Sequence, residues 1–504
     1  MANEKTSSLV LRSSIIAALG GLLFGFDTAV ISGTTESLKR VFELSDGGLG
    51  FTVSSALIGT ILGAATIQFP ANRWGRKPTL ILIALLYLIS AIGSAFPRIL
   101  TFYANSTTLD WYSFMFFRIL GGIGVGGASV VSPLYTAEIA PPKRRGLLVA
   151  LTQLNIVFGI LLAYISNWAI GCGNFGESAW RWMFGVEAIP AFAFLCLLSL
   201  NPESPRWLIS RNRLDEGLAL LKKLIPNEED AEAEFKAIQE ALAAERLQGK
   251  ERLFCYRYRK PILLAIAIAA FNQLSGINAI LYYAPMIFRV AGASRETALQ
   301  LPMLIGLANF VFTLLALVFI DGLGRKKLMY IGSFGYIISL SVVGGMFALY
   351  SDQFKASFER IEAEDAVVVV EESASADVPE IQVAERASDP AIPKAGIYGV
   401  LAGLILFIAA HAFGQGACIW VFIGEIFPNA VRAQGQALGS FTHWALNAVV
   451  SGFFPVMLSK LGPSAVFFTF CGFMVLQLLW VAFIMPETKQ IPLEEMQRKL
   501  GITD

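Results

Sequence analysis

Long apolar windows separated by short basic turns dominate the chain. Pro261 to Phe288, Leu328 to Ser351, Gly396 to Gly424 and Leu461 to Pro486 contain no Asp, Glu, Lys or Arg. About 20 apolar residues cross a bilayer as a helix, and soluble cores rarely hold helices this long and this bare. Such windows predict twelve spans, near 13–34, 50–70, 79–97, 113–136, 147–169, 182–200, 261–288, 301–320, 328–350, 396–424, 434–459 and 465–485. Only helices or closed barrels satisfy backbone hydrogen bonds in lipid, and these runs are too continuous for barrel strands. The fold class expected is an all-α membrane protein of twelve transmembrane helices.

The polar stretches divide these spans. Residues 1–200 carry the first six, and 261–490 the second six. Between them, 201–260 is polar and mixed in charge, with amphipathic patterns at 214–224 and 233–245 that predict a small cytoplasmic helical segment. A tail follows at 491–504. Residues 351–394 hold 11 acids and 4 bases and predict an acidic outer loop with little to bury.

Composition narrows the function. Of 504 residues, 55% are hydrophobic and 15% charged, against about 25% charged in soluble proteins. The net charge of +1 argues against a nucleic-acid partner. The five cysteines show no CxxC or Cys/His spacing, so neither metal nor cofactor is expected. No nucleophile–base pair stands out among the spans, so an enzyme is not expected either. The polar start runs straight into an apolar stretch, which predicts an uncleaved first span. Arg73, Arg76 and Lys77, then Lys143, Arg144 and Arg145, then Arg325, Lys326 and Lys327 fall in short loops on the side of both termini. By the positive-inside rule that side is cytoplasmic.

Two strings recur. Glu138-Ile139-Ala140-Pro141, with Arg145 seven residues after the Glu, returns as Glu425-Ile426-Phe427-Pro428 with Arg432, at an offset of 287. Arg73-Trp74-Gly75-Arg76-Lys77 returns as Gly322-Leu323-Gly324-Arg325-Lys326 at an offset of 249. The 38-residue difference falls where the acidic loop interrupts the second half. The chain therefore reads as two duplicated six-helix bundles, an architecture that encloses a midplane site and rocks about it. Arg76 is expected to pair with Glu138, and Arg325 with Asp321 or Glu425. Such pairs at the cytoplasmic rim would latch the halves together while the outside is open.

GGLLFGFDTAVISGT (20–34), NRWGRK (72–77), PESPRWL (202–208), QLSGINAILYYAP (273–285), DGLGRK (321–326), EIFPNAVR (425–432) and PET (486–488) carry a resemblance across all twelve spans. The chain resembles the sugar porters of the major facilitator superfamily, most nearly the bacterial D-xylose–proton symporters. Glu203 and Arg206 of PESPRWL join Arg145 and Arg432 in the expected cytoplasmic gate. Gly322 departs from the family pattern, which has a basic residue there, and the loop 351–394 has no counterpart in it.

Asp27, Arg118 and Glu187 lie within spans 1, 4 and 6. Charges at that depth are costly and face cavities in pairs, so Asp27 and Arg118 are the natural couple. The resemblance implies that Asp27 takes up the proton, Arg118 is its partner, and Glu187 shares their network. A sugar needs amides around its rim and an aromatic wall against its apolar face. Gln153, Asn272, Gln273, Asn278 and Asn309 supply the amides in spans 5, 7 and 8, with the Tyr282 hydroxyl beside them in span 7. Phe24, Trp420, His443 and Trp444 supply the second, in spans 1, 10 and 11. Gly276 would let span 7 break and turn Gln273 and Asn278 to one cavity. By resemblance these residues line a sugar pocket, with Gly416 admitting the ligand to the backbone. Asn272 replaces a Gln of the pattern, and His443 and Ile160 each stand where the xylose symporters have Gln, so a site admitting pentose and hexose is expected.

The function expected is proton-coupled monosaccharide symport by a monomer. Its setting is a cell membrane, by resemblance the bacterial inner membrane. The alternatives are a facilitative uniporter and, less favoured with a tail of about 20 residues, a transporter-like sugar sensor.

Overall fold

The computed structural model describes residues 8–103, 105–141, 144–247, 251–356, 359, 394–428, 430–489, 491 and 493–502, without the side chains of 244–247, 319–323, 417, 493 and 494. Lys143, the side chain of Asp321 and nearly all of the acidic loop 351–394 lie outside the described residues.

Twelve helices are long and apolar enough to cross a membrane: α1 Ser8–Val41, α2 Asp46–Arg73, α3 Arg76–Ala95, α4 Thr107–Ile139, α5 Arg145–Gly171, α6 Gly176–Leu198, α7 Tyr256–Tyr282, α8 Arg295–Val318, α9 Arg325–Leu349, α10 Lys394–Ile426, α11 Arg432–Leu461 and α12 Pro463–Phe483. Each sequence window falls on one of them. Leu214–Leu224 and Glu228–Leu247 form the amphipathic pair between the halves, preceded by a short helix Pro205–Ser210. No strand occurs among the described residues.

Local chemistry fixes where these helices start. Ser45, Ser106 and Ser204 each accept a bond from a first-turn amide, from Gly48, Leu109 and Trp207. α3 and α9 begin instead at glycines in the left-handed half of backbone space, Gly75 at φ 113° and Gly324 at φ 88°. Small residues then let helices touch. A Cβ on Gly122 of α4 would lie 1.9 Å from the carbonyl oxygen of Ala56 in α2.

Two helices depart from the uninterrupted windows. The seventh window divides into Arg259–Leu274, Ile277–Tyr282 and Ala284–Val290. Gly276 turns it at φ 86°, where a side chain would also strike the Phe470 ring. α10 widens into a looser π-type turn over Ala412–Gly416, a feature with no apolar-pattern signature.

Polar bonds between the halves lie at the helix ends remote from the basic turns. Ser54 of α2 donates to the Ala448 carbonyl of α11 at 2.9 Å, and Tyr164 of α5 donates to that of Leu281 in α7 at 2.8 Å. Arg289, just past α7, meets Glu36 of α1 at 3.1 Å. Beside them a Cβ on Gly50 would lie 1.8 Å from the Gly452 carbonyl oxygen. Toward the basic turns, Phe69, Trp74 and Leu147 are exposed, as are Gln153 and Trp420 deeper along their helices. The buried apolar core is continuous across both halves toward the remote rim, whereas toward the basic turns each half has a separate core of its own, so the halves meet at the remote rim and diverge toward the basic turns.

Candidate functional site

The first half concentrates its buried charge in one place. Asp27 and Arg118 are joined by a 2.6 Å bond from a guanidinium nitrogen to Oδ1, with a second nitrogen 3.4 Å from Oδ2 and 3.3 Å from the Asp27 carbonyl oxygen. Arg118 also lies over the Phe184 ring of α6, 5.2 Å from its centre. Glu187 of α6 has Asp27 and Arg118 as its charged neighbours. Asp27, Arg118 and Glu187 are only 1%, 2% and 1% exposed, so water does not screen them. Two carboxyls facing one guanidinium leave one negative charge uncompensated unless a carboxyl carries a proton. The pair borders a cavity of about 10 Å³, room for one water, whose other walls include Thr28, Thr60, Tyr282 and Trp444. The charge cluster of the first half therefore communicates with side chains of the second.

The second half concentrates neutral polar groups instead. Gln273 donates to Asn272 Oδ1 at 2.9 Å and lies 3.1 Å from His443 Nδ1, while its own Oε1 accepts from Asn278 at 2.9 Å. The break at Gly276 makes this possible, because five residues along an unbroken helix would place Asn278 on another face. Tyr282 accepts a bond from Asn447 at 3.1 Å, and Ser451 donates to Asn447 at 3.0 Å. Rings line up beside the amides. Phe24 and Trp444 are 5.7 Å apart, Trp420 and His443 5.3 Å, and His443 and Trp444 5.0 Å. The structure thus gathers Phe24, Asn272, Gln273, Asn278, Tyr282, Trp420, His443 and Trp444 into one continuous patch. Gln153 is exposed on α5, Asn309 is buried on α8, and Gly416 closes the widened turn of α10 against His411.

Asn447 escaped the sequence reading. It lies four residues after His443, on the same face of α11, and that spacing was the available signal. Tyr87 and Ser90 of α3, packed toward Asp27, also escaped it, because hydroxyls at membrane depth are ordinarily satisfied within their own helix. Among the described residues no group of three or more His, Cys, Asp and Glu is placed to hold a metal.

At the basic turns the expected pairings form, but not as a latch between halves. Arg76 meets Glu138 through two 2.8 Å bonds, and Arg325 meets Glu425 through one of 2.9 Å. Each pair ties two helices of the same half, α3 to α4 and α9 to α10. The reason is connectivity: each basic turn opens the helix that packs beside the acidic end of its own bundle. Arg145 reaches Glu234 of the linker at 3.3 Å, Arg432 bonds the Phe427 carbonyl at 3.4 Å, and Arg206 lies on the short helix Pro205–Ser210. Glu203 accepts from the backbone amides of Arg76 and Lys77. Glu487 accepts from those of Arg325 and Lys326 in the same manner. Pro202-Glu203-Ser204 and Pro486-Glu487-Thr488 are thus a third string shared by the two halves, unnoticed in sequence because only three residues carry it.

Two pseudo-repeated six-helix bundles around a polar midplane, joined by a helical linker, define a major facilitator protein. The family model "Sugar (and other) transporter" matches residues 13–370 and 376–500, and the chain belongs to that family. It is 36% identical to the D-xylose-proton symporter of Escherichia coli K12, over 99% of this chain and 97% of that one. The arabinose-proton symporter of Bacillus subtilis is 33% identical, over 97% and 94% of the two chains, and the glucose transport protein of Synechocystis 34%, over 97% of each. Among solved structures, the partially occluded inward open conformation of the E. coli xylose transporter XylE superposes with a TM-score of 0.78 at 34% identity, covering 96% of this chain and all of that one. The same transporter bound to 6-bromo-6-deoxy-D-glucose gives 0.74, covering 98% and 100%.

Proposed function

We propose that the protein imports a monosaccharide together with a proton, by alternating access about the midplane patch. The observation that carries this reading is the Asp27–Arg118 pair, buried yet bordering a cavity that Tyr282 and Trp444 also line. Protonating Asp27 weakens its attraction to Arg118 and lowers the cost of rearranging the helices around it. The amides of Asn272, Gln273 and Asn278, with Gln153 and Asn309, meet sugar hydroxyls. Phe24, Trp420, His443 and Trp444 cover the apolar face, and Gly416 lets the ligand near the backbone. The relatives named for xylose, arabinose and glucose support a pentose or hexose as cargo.

In this reading the basic turns and both termini face the cytoplasm, in a multi-pass protein of the bacterial inner membrane working as a monomer. The divergence of the halves toward that side makes this the inward-facing form. Arg76, Glu138, Glu203, Arg145 and Arg206, with Arg325, Glu425 and Arg432, keep each half rigid while it rocks.

Purified protein in sealed liposomes decides the matter. D-xylose or D-glucose accumulates when the outside is made acidic. Asp27→Asn abolishes accumulation and spares equilibrium exchange of labelled sugar. Uptake indifferent to the pH gradient in the unmodified protein refutes the coupling, and carriage of no monosaccharide refutes the whole reading.

A further inference from the structure

We propose that Tyr87 and Ser90 of α3 are positioning residues for the proton on Asp27, acting through internal water to set the pH at which that proton is held. The proposal rests on the symport reading and adds a component to it. Tyr87, Ser90 and Ser94 lie on one helical stripe and are at most 1% exposed. None of their three hydroxyls has a hydrogen-bond partner among the described residues. Two atoms of the charge cluster share that condition, Arg118 Nε and Glu187 Oε1. Four of these atoms, on Tyr87, Ser90, Arg118 and Glu187, belong to the surroundings of Asp27, and buried polar groups nearly always find a partner.

Geometry joins them. Tyr87 has both Asp27 and Glu187 as electrostatic neighbours. A Cβ built on Gly121 of α4 would lie 2.3 Å from Ser90 Oγ and 3.4 Å from Asp27 Oδ1. Ser90 and Asp27 therefore face each other across a glycine, too far apart for a direct bond and close enough for one bridging water. The charged groups around this spot are Asp27 from α1, Arg118 from α4 and Glu187 from α6, and Tyr282 of α7 shares a cavity with Asp27. Asp27 and Arg118 also border the cavity with room for one water, so a bridging water has a route to this spot.

The effect has a definite sign. A hydroxyl that donates toward a carboxylate, directly or through water, favours its charged form. Removing that donor makes the proton easier to hold, so the carboxyl titrates at higher pH. One hydrogen bond lost at this site corresponds to a shift of about half to one pH unit.

Infrared difference spectroscopy on the full protein in lipid tests this without any sugar. The carboxyl C=O band that disappears in Asp27→Asn is followed as pH is varied. In Tyr87→Phe, which keeps the ring, the midpoint rises by about half to one unit and the band moves to higher frequency as its hydrogen bonding weakens. Ser90→Ala gives a smaller rise, with melting temperatures checking that each variant is folded. If the band titrates in the parent and neither variant moves it, the hydroxyls play no such part, and should Tyr87→Phe fail to fold, an unmoved midpoint in Ser90→Ala alone decides against them. If no carboxyl titrates even in the parent, the coupling reading falls first and takes this one with it.

Discussion

The two halves share an architecture and differ in what they bury. Near its middle the first encloses Asp27, Arg118 and Glu187, which are ionisable. At the same level the second encloses Asn272, Gln273, His443, Asn447, Gln415 and Gln477, which are amides and an imidazole, its buried Arg289 lying at the remote rim against Glu36. Within that half, Gln415 donates to Gln477, which in turn donates to Ser333 at 2.8 Å, an amide chain running behind the Gly416 turn. A charge cluster responds steeply to one proton, whereas an amide wall exchanges hydroxyl partners at almost no electrostatic cost. Duplication supplied one scaffold twice, and each copy carries its own polar chemistry; in the proposed reading one half senses protons while the other holds cargo.

The largest predicted effect strikes the charged half. Arg118→Leu leaves Asp27 and Glu187 facing each other without a counter-charge, and breaking a buried pair this way costs about 3–5 kcal/mol. A steep fall in melting temperature is expected. The triple variant Arg118→Leu, Asp27→Asn, Glu187→Gln recovers most of it, because removing the whole cluster removes the unpaired charge. No recovery in the triple variant would mean that Arg118 acts through packing on Phe184 instead.

Next in size is the amide half. Gln273→Ala removes the side chain that both donates to Asn272 and accepts from Asn278, and it is expected to weaken sugar binding about tenfold or more. Calorimetry with D-xylose and D-glucose reads it. The pH dependence of uptake stays where it was, and a shifted profile would break the division between the halves.

The basic turns sharpen the comparison at a smaller scale. Burial pushes the Glu203 carboxyl above its ordinary range, although the amides of Ser204, Lys77 and Arg76 pull the other way. Burial also acts upward on Glu487, but the amides of Lys489, Lys326, Arg325 and Thr488 together outweigh it and hold the carboxyl low. A lowered carboxyl contributes stability above the ordinary carboxylate value and loses it as pH falls through the depressed one. A raised carboxyl contributes below the ordinary value and loses its contribution as pH rises through the elevated one. At pH 7 Glu487→Gln therefore lowers the melting temperature by about 2–4 °C, and Glu203→Gln changes it less or raises it. The gap between the two variants narrows on acidification. Equal losses at pH 7 would show that the two turns are held alike.

The smallest effect concerns the seam between the halves. Ser54→Ala deletes one bond across it, worth about 1 kcal/mol, and shifts the balance toward opening of the remote rim by about fivefold. Spin labels at the remote ends of α2 and α11 report this as a larger population of the longer distance.

The helices were legible because lipid forces an unbroken apolar run for every span, and the repeat was legible because its strings sit where short turns need fixed residues. The ion pairs followed from charge at membrane depth. What pattern alone did not reveal depends on the third dimension. That Glu203 and Glu487 accept the backbone amides opening the basic turns is decided by packing, not by spacing. The widened turn at Ala412–Gly416 leaves no mark in an apolar run, and Asn447 looks like any buried amide until Tyr282 is found against it. The acidic insertion 351–394 was visible by composition, and most of it lies outside the described residues.

The contact of Gly50 with Gly452 bears on speed. Where two main chains rest directly on each other, parting and rejoining demand no reshuffling of rotamers. In the proposed rocking motion such a joint would act as a low-friction bearing, offering little resistance and needing no search for register on return. Bulk added at either glycine would wedge the rim apart, and turnover would slow before stability suffered.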